Sequence, residues 1–266
     1  MRPGSRGREA ANATFPDVVA ALALPTTGRH APEPASRVRL ALLGSFDLTV
    51  DGEAVPLPMN GQRVLAFLAL QGTTLLRPFV AGSLWLDSSD ERAAASLRSA
   101  LWRLNRPGHR LVEAIGERLR LSPEVTVDVD EAIAQAQRLL DPGERRCPNP
   151  RELQLSGDVL PDWYEDWVAV ERERFRQLRV HALERLCERL AAEERYGEAI
   201  DAGLAATKTE PLRESAHRAL MRVHIAEGNL SEALAHYRRF RRLLHEELGL
   251  APSPRMEQLV ALVTAR

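Results

Sequence analysis

The chain has 266 residues, of which 44% are hydrophobic and 27% charged, and its formal net charge is −1 at pH 7. These fractions are typical of a soluble globular protein, and the absence of any run of about 18 apolar residues predicts no membrane-spanning helix and no membrane partner. The length favours two domains. The two cysteines, Cys147 and Cys187, have no metal or redox spacing, which fits a reducing, cytoplasmic location.

The N-terminal half predicts a tail followed by a mixed domain. Residues 1–36 contain five prolines and scattered glycines, which indicates a disordered tail. Residues 37–125 then show three strand patterns (38–43, 46–50, 53–57), three helix patterns (62–71, 79–86, 92–106) and a hairpin (110–115, 118–121). This order is that of an α+β winged helix-turn-helix domain with an extra N-terminal β-sheet. Its third helix enters the DNA groove and its hairpin forms the wing.

The third predicted helix carries the pattern that suggests DNA binding. One side is apolar at helical spacing, and the opposite side holds arginines and small hydroxyls, with no acid between Arg92 and Asn105. Arginine can bond guanine or phosphate, and serine adapts to either. The apolar side consists of Ala93, Leu97, Ala100, Leu101 and Leu104. The candidate DNA-binding residues are Arg92, Arg98, Ser99, Trp102, Arg103 and Arg106 on the helix, with Arg118 and Arg120 on the wing.

The second half, residues 126–266, predicts an all-α domain. A helix over 130–140 precedes residues 141–158, which are rich in proline, glycine and charge and which we interpret as a flexible joint. A long helix is expected from Asp162, where Asp162 and Glu165 have the spacing of a capping box, to about residue 195.

An internal repeat follows the long helix. The segment YGEAI at 196–200 recurs as LSEAL at 230–234, an offset of 34 residues, which is the tetratricopeptide (TPR) period. Ala199 and Ala233 stand where the paired helices of such a unit approach closely, and Ser253 precedes a last predicted helix. We therefore predict a TPR-like helical repeat domain.

Three further groups of residues have two interpretations each. Trp163, Tyr164 and Trp167 favour packing of the long helix on the winged domain, with a partner anchor as the alternative. A basic run could contact DNA or form a solvated face, and the histidines of the repeats fit packing or surface roles. The basic run consists of Arg238, Arg239, Arg241 and Arg242, and the histidines are His217, His224 and His236.

The sequence lacks the motifs of catalysis and cofactor binding. It has no phosphate-binding glycine loop, no nucleophile elbow and no zinc-type histidine pair. We therefore expect a protein that is not an enzyme, with no catalytic residue, no cofactor and no metal.

Five stretches, spread over both halves of the sequence, resemble a known family. The first half contains RLALLGSFDLTVDGEAVPL, QRVLAFLAL and LWLDSSDERAAASLRSALWRLNR, and the second contains LPDWYEDWVAVERERFRQLRVHALERL and HEELGLAPSPRMEQL. Together they resemble the Streptomyces antibiotic regulatory protein (SARP) family, with an OmpR-type winged helix and a bacterial transcriptional activator domain. The hairpin LVEAIGERLRL departs from the glycine-tyrosine ending common in OmpR-type wings.

The resemblance implies a sequence-specific, DNA-binding transcriptional activator. Its partners would be double-stranded promoter DNA, at direct repeats near a −35 region, and RNA polymerase, through the sigma factor or other subunits. It would control a secondary-metabolite gene cluster and associate with the nucleoid when bound to DNA. One winged helix reads only a few base pairs, so we expect a homodimer on DNA.

The alternative hypothesis is a TPR-like protein-interaction scaffold with weak or no DNA binding. Its support is the charge of residues 37–124, which hold eleven arginines and nine acids, a balance of 11 − 9 = +2. That balance is modest for a DNA-binding domain.

Overall fold

The computed structural model describes residues 38–105, 110–144 and 147–264. The tail predicted over 1–36 and the candidate residue Arg106 lie outside these ranges. The described chain begins with a four-stranded sheet built from β1 (Val38–Ala41), β2 (Asp47–Val50), β3 (Glu53–Ala54) and β7 (Val125–Val127), in the order β3-β2-β1-β7. The first three strands are antiparallel, and β3 is shorter than the pattern predicts. Strand β7 pairs with β1 in parallel, which joins the two halves of the sequence in one sheet.

Three helices follow the first three strands, as predicted: α1 (Met59–Gln71), α2 (Arg77–Leu84) and α3 (Asp90–Leu104). Helix α1 begins three residues before the predicted start, because its first turn packs against α3. A side chain at Gly61 would stand 3.3 Å from Leu104 Cδ2, so glycine allows this close approach. The helix ends at Gly72, whose φ of 61° is left-handed.

The hairpin forms the predicted wing, and a strand that the sequence pattern did not predict completes it. Strands β5 (Val112–Ile115) and β6 (Arg118–Leu121) pair antiparallel, and Gly116 in their turn has a φ of 57°. Strand β4 (Leu75–Leu76), between α1 and α2, pairs with β6, so the sheet order is β4-β6-β5. Because β4 lies between α1 and α2 in the chain, its pairing with β6 attaches the wing to these two helices.

Helix α4 (Asp128–Leu140) belongs to the winged half as much as to the second half. Its first residue, Asp128, is 8% exposed, and its carboxylate accepts hydrogen bonds from the amides of Leu42 (2.8 Å), Leu43 (3.0 Å) and Val129 (2.7 Å). Buried carboxylates need such partners. A boundary at 125/126 therefore falls inside a continuous sheet and its attached helix.

The segment before the long helix is fixed to the sheet, and the interpretation of a flexible joint is wrong at this end. The amide of Gly44 donates to the carbonyl of Asp158 (2.8 Å), and the amide of Leu160 donates to the carbonyl of Leu42 (2.9 Å). The chain turns at Leu160, with a φ of 42°, before α5 (Asp166–Ala192) begins. Helix α5 therefore starts four residues after the predicted Asp162, with Glu165 as its N-cap residue.

Aromatic residues at the start of α5 pack on the winged half. The ring of Trp163 stacks on Phe46 with centroids 6.1 Å apart, and Trp167 meets Phe67 edge-on at 5.1 Å. The packing interpretation is confirmed for these two tryptophans, whereas Tyr164 is 95% exposed.

An ion pair and a set of main-chain contacts add to this junction. Arg63 Nε of α1 lies 2.6 Å from Glu165 Oε1. The guanidinium of Arg172 donates to main-chain carbonyls of the turn, including that of Val159 at 2.8 Å. Residues 159–172 thus connect α5 to the winged half by both packing and polar contacts.

The repeat region consists of α6 (Tyr196–Thr209), α7 (Glu214–Glu227), α8 (Leu230–Leu248) and α9 (Pro254–Thr264). Helices α6 and α8 begin at the two residues that the 34-residue offset aligns, and Ala199 and Ala233 are fully buried. The TPR-like prediction is confirmed. None of the helices in the described ranges is long and apolar enough to cross a membrane.

Candidate nucleic-acid interface

Helix α3 lies with the predicted apolar side against the core. This side is at most 9% exposed at every position and contacts α1 and α2. Ser89 is the N-cap residue, and Asp90 and Glu91 occupy the first turn, where carboxylates complement the positive end of the helix dipole. These are the only acids on α3, so the rest of its outer face is basic or neutral. The buried residues are Ala93, Leu97, Ala100, Leu101 and Leu104.

The predicted outer face of α3 is the solvent face. Trp102 is 80% exposed, which is unusual for a large apolar ring and leaves it available for contact. Within the described residues, the arginines of this face form no ion pair or side-chain hydrogen bond. The exposed candidates are Arg92, Arg98, Ser99, Trp102 and Arg103.

A cleft runs along each side of α3. The cleft toward the wing has a volume of about 260 Å³ and is lined by Arg77, Arg98 and Trp102, among others. The cleft toward the start of α1 has a volume of about 250 Å³ and is lined by Ser99 and Arg103. Helix α3 is therefore a ridge between two depressions, a shape that suits insertion into a wide groove.

Both wing arginines already have partners within the protein, one outside the wing and one on its neighbouring strand. Arg118 donates through Nη1 to the carbonyl of Thr74 (3.2 Å), and Arg120 Nη2 lies 2.6 Å from Glu113 Oε2. Both side chains are exposed, but part of their charge or donor capacity is already used. The tip also presents Ile115, which is 49% exposed.

Two residues of this surface were missed by the sequence analysis. Arg77 begins α2, far from Arg98 in sequence, and its amide donates to the carbonyl of Glu117 in the wing turn (2.9 Å). Asn105 is the C-cap residue that follows α3, and its side-chain oxygen accepts from the amide of Val112 (3.4 Å). The only sequence signal for Arg77 is its place before Pro78, at a helix start. Neither residue belongs to the periodic pattern of α3.

Groups with shifted pKa values lie in the second half of the described chain, between Cys147 and Tyr237, rather than at this surface. Burial lowers the pKa of His236 to about 4, with His217 and nearby cationic groups acting in the same direction. His217 Nδ1 lies 2.9 Å from His236 Nε2, and its ring stacks on Phe240. The packing interpretation is confirmed for these two histidines. Across the described ranges, no three His, Cys, Asp or Glu side chains come together as a metal site would require.

The fold and this surface define a class of architecture: a winged helix, whose helix α3 presents a basic and solvent-exposed face, followed by a helical repeat region. Residues 153–263 match the bacterial transcriptional activator domain family. The sequence is 29% identical over 243 residues to the regulatory protein AfsR of Streptomyces coelicolor, and 27% identical over 239 residues to AfsR of Streptomyces griseus. These alignments cover 85% and 86% of this chain, and the chain spans 24% of the length of each relative. The resemblance to the SARP family of activators is thereby confirmed.

A solved structure supports the fold. The structure of Mycobacterium tuberculosis EmbR in complex with a low affinity phosphopeptide matches with a TM-score of 0.71 and 24% sequence identity. The match covers 86% of this chain and 65% of that chain. The predicted architecture, a winged helix followed by a helical repeat domain, is confirmed.

Proposed function

We propose that the chain is a sequence-specific DNA-binding activator whose helix α3 reads the major groove. The observation that carries this proposal is the solvent face of α3, where arginines, a serine and an exposed tryptophan stand on a ridge between two clefts. The major groove of B-DNA is about 12 Å wide and admits one helix. A surface without acids beyond the first turn meets the negative potential of the groove without repulsion.

Each candidate residue has a role that follows from its position. Ser99 and Arg103 lie near the middle and end of α3 and would reach base edges, whereas Arg92 in its first turn and Arg98 beside the wing would contact phosphate. Trp102 offers an apolar ring to a thymine methyl group or a sugar. Arg106 follows the end of α3 and would contact the backbone. On the wing, Arg118 and Arg120 would bind phosphate or the minor groove while keeping their protein contacts.

Two copies of the chain would bind one operator. A single winged helix contacts too few base pairs to select a site in a genome. Because the repeat half is fixed to the winged half through residues 159–172, two copies on direct repeats would stand in the same orientation. They would meet head-to-tail, through different surfaces, as a homodimer on DNA. Half-sites about 10–11 base pairs apart would place both on one face of the duplex.

The second half would contact the transcription machinery. TPR-like repeats provide protein-binding surfaces, and residues 153–263 match an activator domain. With direct repeats near a −35 region, this half would lie beside RNA polymerase and its sigma factor. Control of a secondary-metabolite gene cluster is what the resemblance to the SARP family implies. The DNA-bound protein would be found at the nucleoid, in the cytoplasm.

The experiment is a footprint on operators recovered from genomic fragments by the full chain. We expect two protected direct repeats on one DNA face. Inserting about five base pairs, half a helical turn, between them should abolish cooperative binding, and inserting a full turn should restore part of it. A palindromic footprint, or binding indifferent to spacing, would refute the direct-repeat arrangement and leave DNA binding intact.

The alternative, a TPR-like scaffold with weak or no DNA binding, is favoured by a contact in the structure as well as by the modest charge of residues 37–124. Arg120 is paired with the carboxylate of Glu113, and Arg118 uses a donor on the carbonyl of Thr74, so the wing offers DNA less free charge and fewer free donors than the sequence suggests. A gel-shift series at several salt concentrations separates the two functions. Affinity that is equal for selected and scrambled DNA at every salt concentration would favour the scaffold.

A further inference from the structure

We propose that the cleft between α3 and the wing holds one phosphate of the DNA backbone, with Arg77 and Arg98 as its two ligands. This inference rests on the DNA-binding function proposed above and adds a site that joins two elements. Arg77 comes from the start of α2 and Arg98 from α3, and both line the same cleft of about 260 Å³.

The arginines around the wing divide into engaged and free groups. Arg118 and Arg120 have protein partners at 3.2 Å and 2.6 Å. Arg77 and Arg98 have no ion pair or side-chain hydrogen bond with any residue in the described part of the chain. Two guanidinium groups that line one cleft bring two positive charges and free N–H donors to it, which favours an anion there. A phosphate group can accept two parallel hydrogen bonds from one arginine, and DNA presents phosphate groups in a regular row.

The shape of the cleft fits a phosphate with its adjoining sugar. Its polar lining consists of the two arginines and Asn105, and its apolar lining includes Trp102, Leu101 and Leu119. A water molecule occupies about 30 Å³ in the liquid, so the cleft has room for a group several times that size. A deoxyribose face against apolar side chains and a phosphate against guanidinium groups would match this division.

The backbone of Arg77 is well placed to keep the cleft in shape. Its amide donates to the carbonyl of Glu117 in the wing turn, and Asn105 accepts from the amide of Val112 in β5. Arg77 and Asn105, which both line the cleft, thus connect α2 and the end of α3 to the wing. A phosphate held there would fix the wing relative to the helix that reads the bases, so the site would set the register of binding.

The experiment tests whether the loss of one phosphate charge and the loss of one arginine have dependent effects on DNA affinity. The full chain first selects a duplex from random-sequence DNA, and each phosphate near the half-site is then replaced, one at a time, by an uncharged methylphosphonate. Affinities are measured for the wild type, Arg77→Gln and Arg98→Gln. Arg138→Gln serves as the charge-matched control, because Arg138 is exposed on α4 and lies outside the cleft.

We expect one phosphate position whose neutralisation weakens wild-type binding by about tenfold or more, the range of a hydrogen bond between charged groups. The same substitution should have little further effect in Arg77→Gln and in Arg98→Gln, and its full effect in Arg138→Gln. Inorganic phosphate, titrated in the absence of DNA, should bind only weakly and should be displaced by the duplex.

Three results would overturn the site. The first is that Arg77 and Arg98 couple to different phosphates, and the second is that neither couples to any. The third is saturable binding of inorganic phosphate that persists in the DNA complex, which would assign the cleft to a free anion. If the wild type selects no duplex at all, the proposed DNA-binding function itself fails, and that failure is distinct from the other three.

Discussion

Replacing Trp167 with alanine tests whether the start of α5 completes the core of the winged half. Trp167 meets Phe67 edge-on at 5.1 Å and Trp163 at 6.3 Å, and it packs on the core that the sheet and α1 share. Tyr164 lies three residues earlier, on the same segment, and is 95% exposed. The pair therefore compares a packed aromatic ring with a solvated one in the same local sequence.

The expected magnitude follows from burial. Truncating a buried Trp or Phe to alanine costs about 3–5 kcal/mol of folding stability. Trp167 is only partly buried, so we expect about 3 kcal/mol, the lower end of that range. For a domain of this size the loss corresponds to a fall in Tm of about 6–12 °C. Tyr164→Ala should change stability by less than about 0.5 kcal/mol, as surface substitutions do.

Urea unfolding followed by circular dichroism, together with thermal melts, measures both variants. Circular dichroism is preferable to tryptophan fluorescence because the substitution removes one of the four tryptophans. Equal midpoints for Trp167→Ala and Tyr164→Ala would refute the reasoning, since the two halves would then not share a core. A chain ending near Asp141 lacks this whole segment and should be less stable than the winged half within the full chain.

Four further outcomes are expected. Arg103→Ala should weaken operator binding by about 1–3 kcal/mol with little change in Tm, and unchanged affinity would remove Arg103 from the interface. Leu101→Ala, on the buried side of the same helix, should instead cost about 2–5 kcal/mol of stability in urea unfolding. Because burial lowers the pKa of His236 to about 4, the unfolded state binds the extra proton, and stability should fall as pH drops below about 6.5 toward 4. This fall should be smaller in His236→Phe. Burial raises the pKa of the Cys187 thiol to about 12, so a thiol reagent at pH 8 should not modify it until the protein is unfolded.

The periodic elements were the predictable part of the fold. Helix α3 buries the five residues that its spacing selects, because an amphipathic helix on a core leaves a strong local signal. The same reason explains the 34-residue repeat, since each helix pair buries the same positions. The candidate face could be chosen from sequence alone, although its contact with DNA stays a prediction.

The parts that were not predicted depend on contacts between distant residues. Strand β7 pairs with β1 across more than 80 positions, and Asp128 resembles a loop residue until its three amide partners are known. The segment at 158–160 contains no periodic pattern, so its hydrogen bonds to the sheet could not be predicted. These bonds fix the end of the segment that the sequence predicted to be a flexible joint. Likewise, only the folded chain brings Arg77 and Arg98 to the same cleft.

The length of α5 determines how the repeat region is positioned relative to the winged half. The helix has 27 residues and is therefore about 40 Å long. Its first turns are fixed to the winged half, and its later turns pack on α6. One residue inserted between these attachments would advance the repeats by about 1.5 Å and rotate them by about 100° around the helix axis. The position of the repeats relative to DNA would thus change in discrete steps, and only insertions near a whole number of turns would keep them facing the same side.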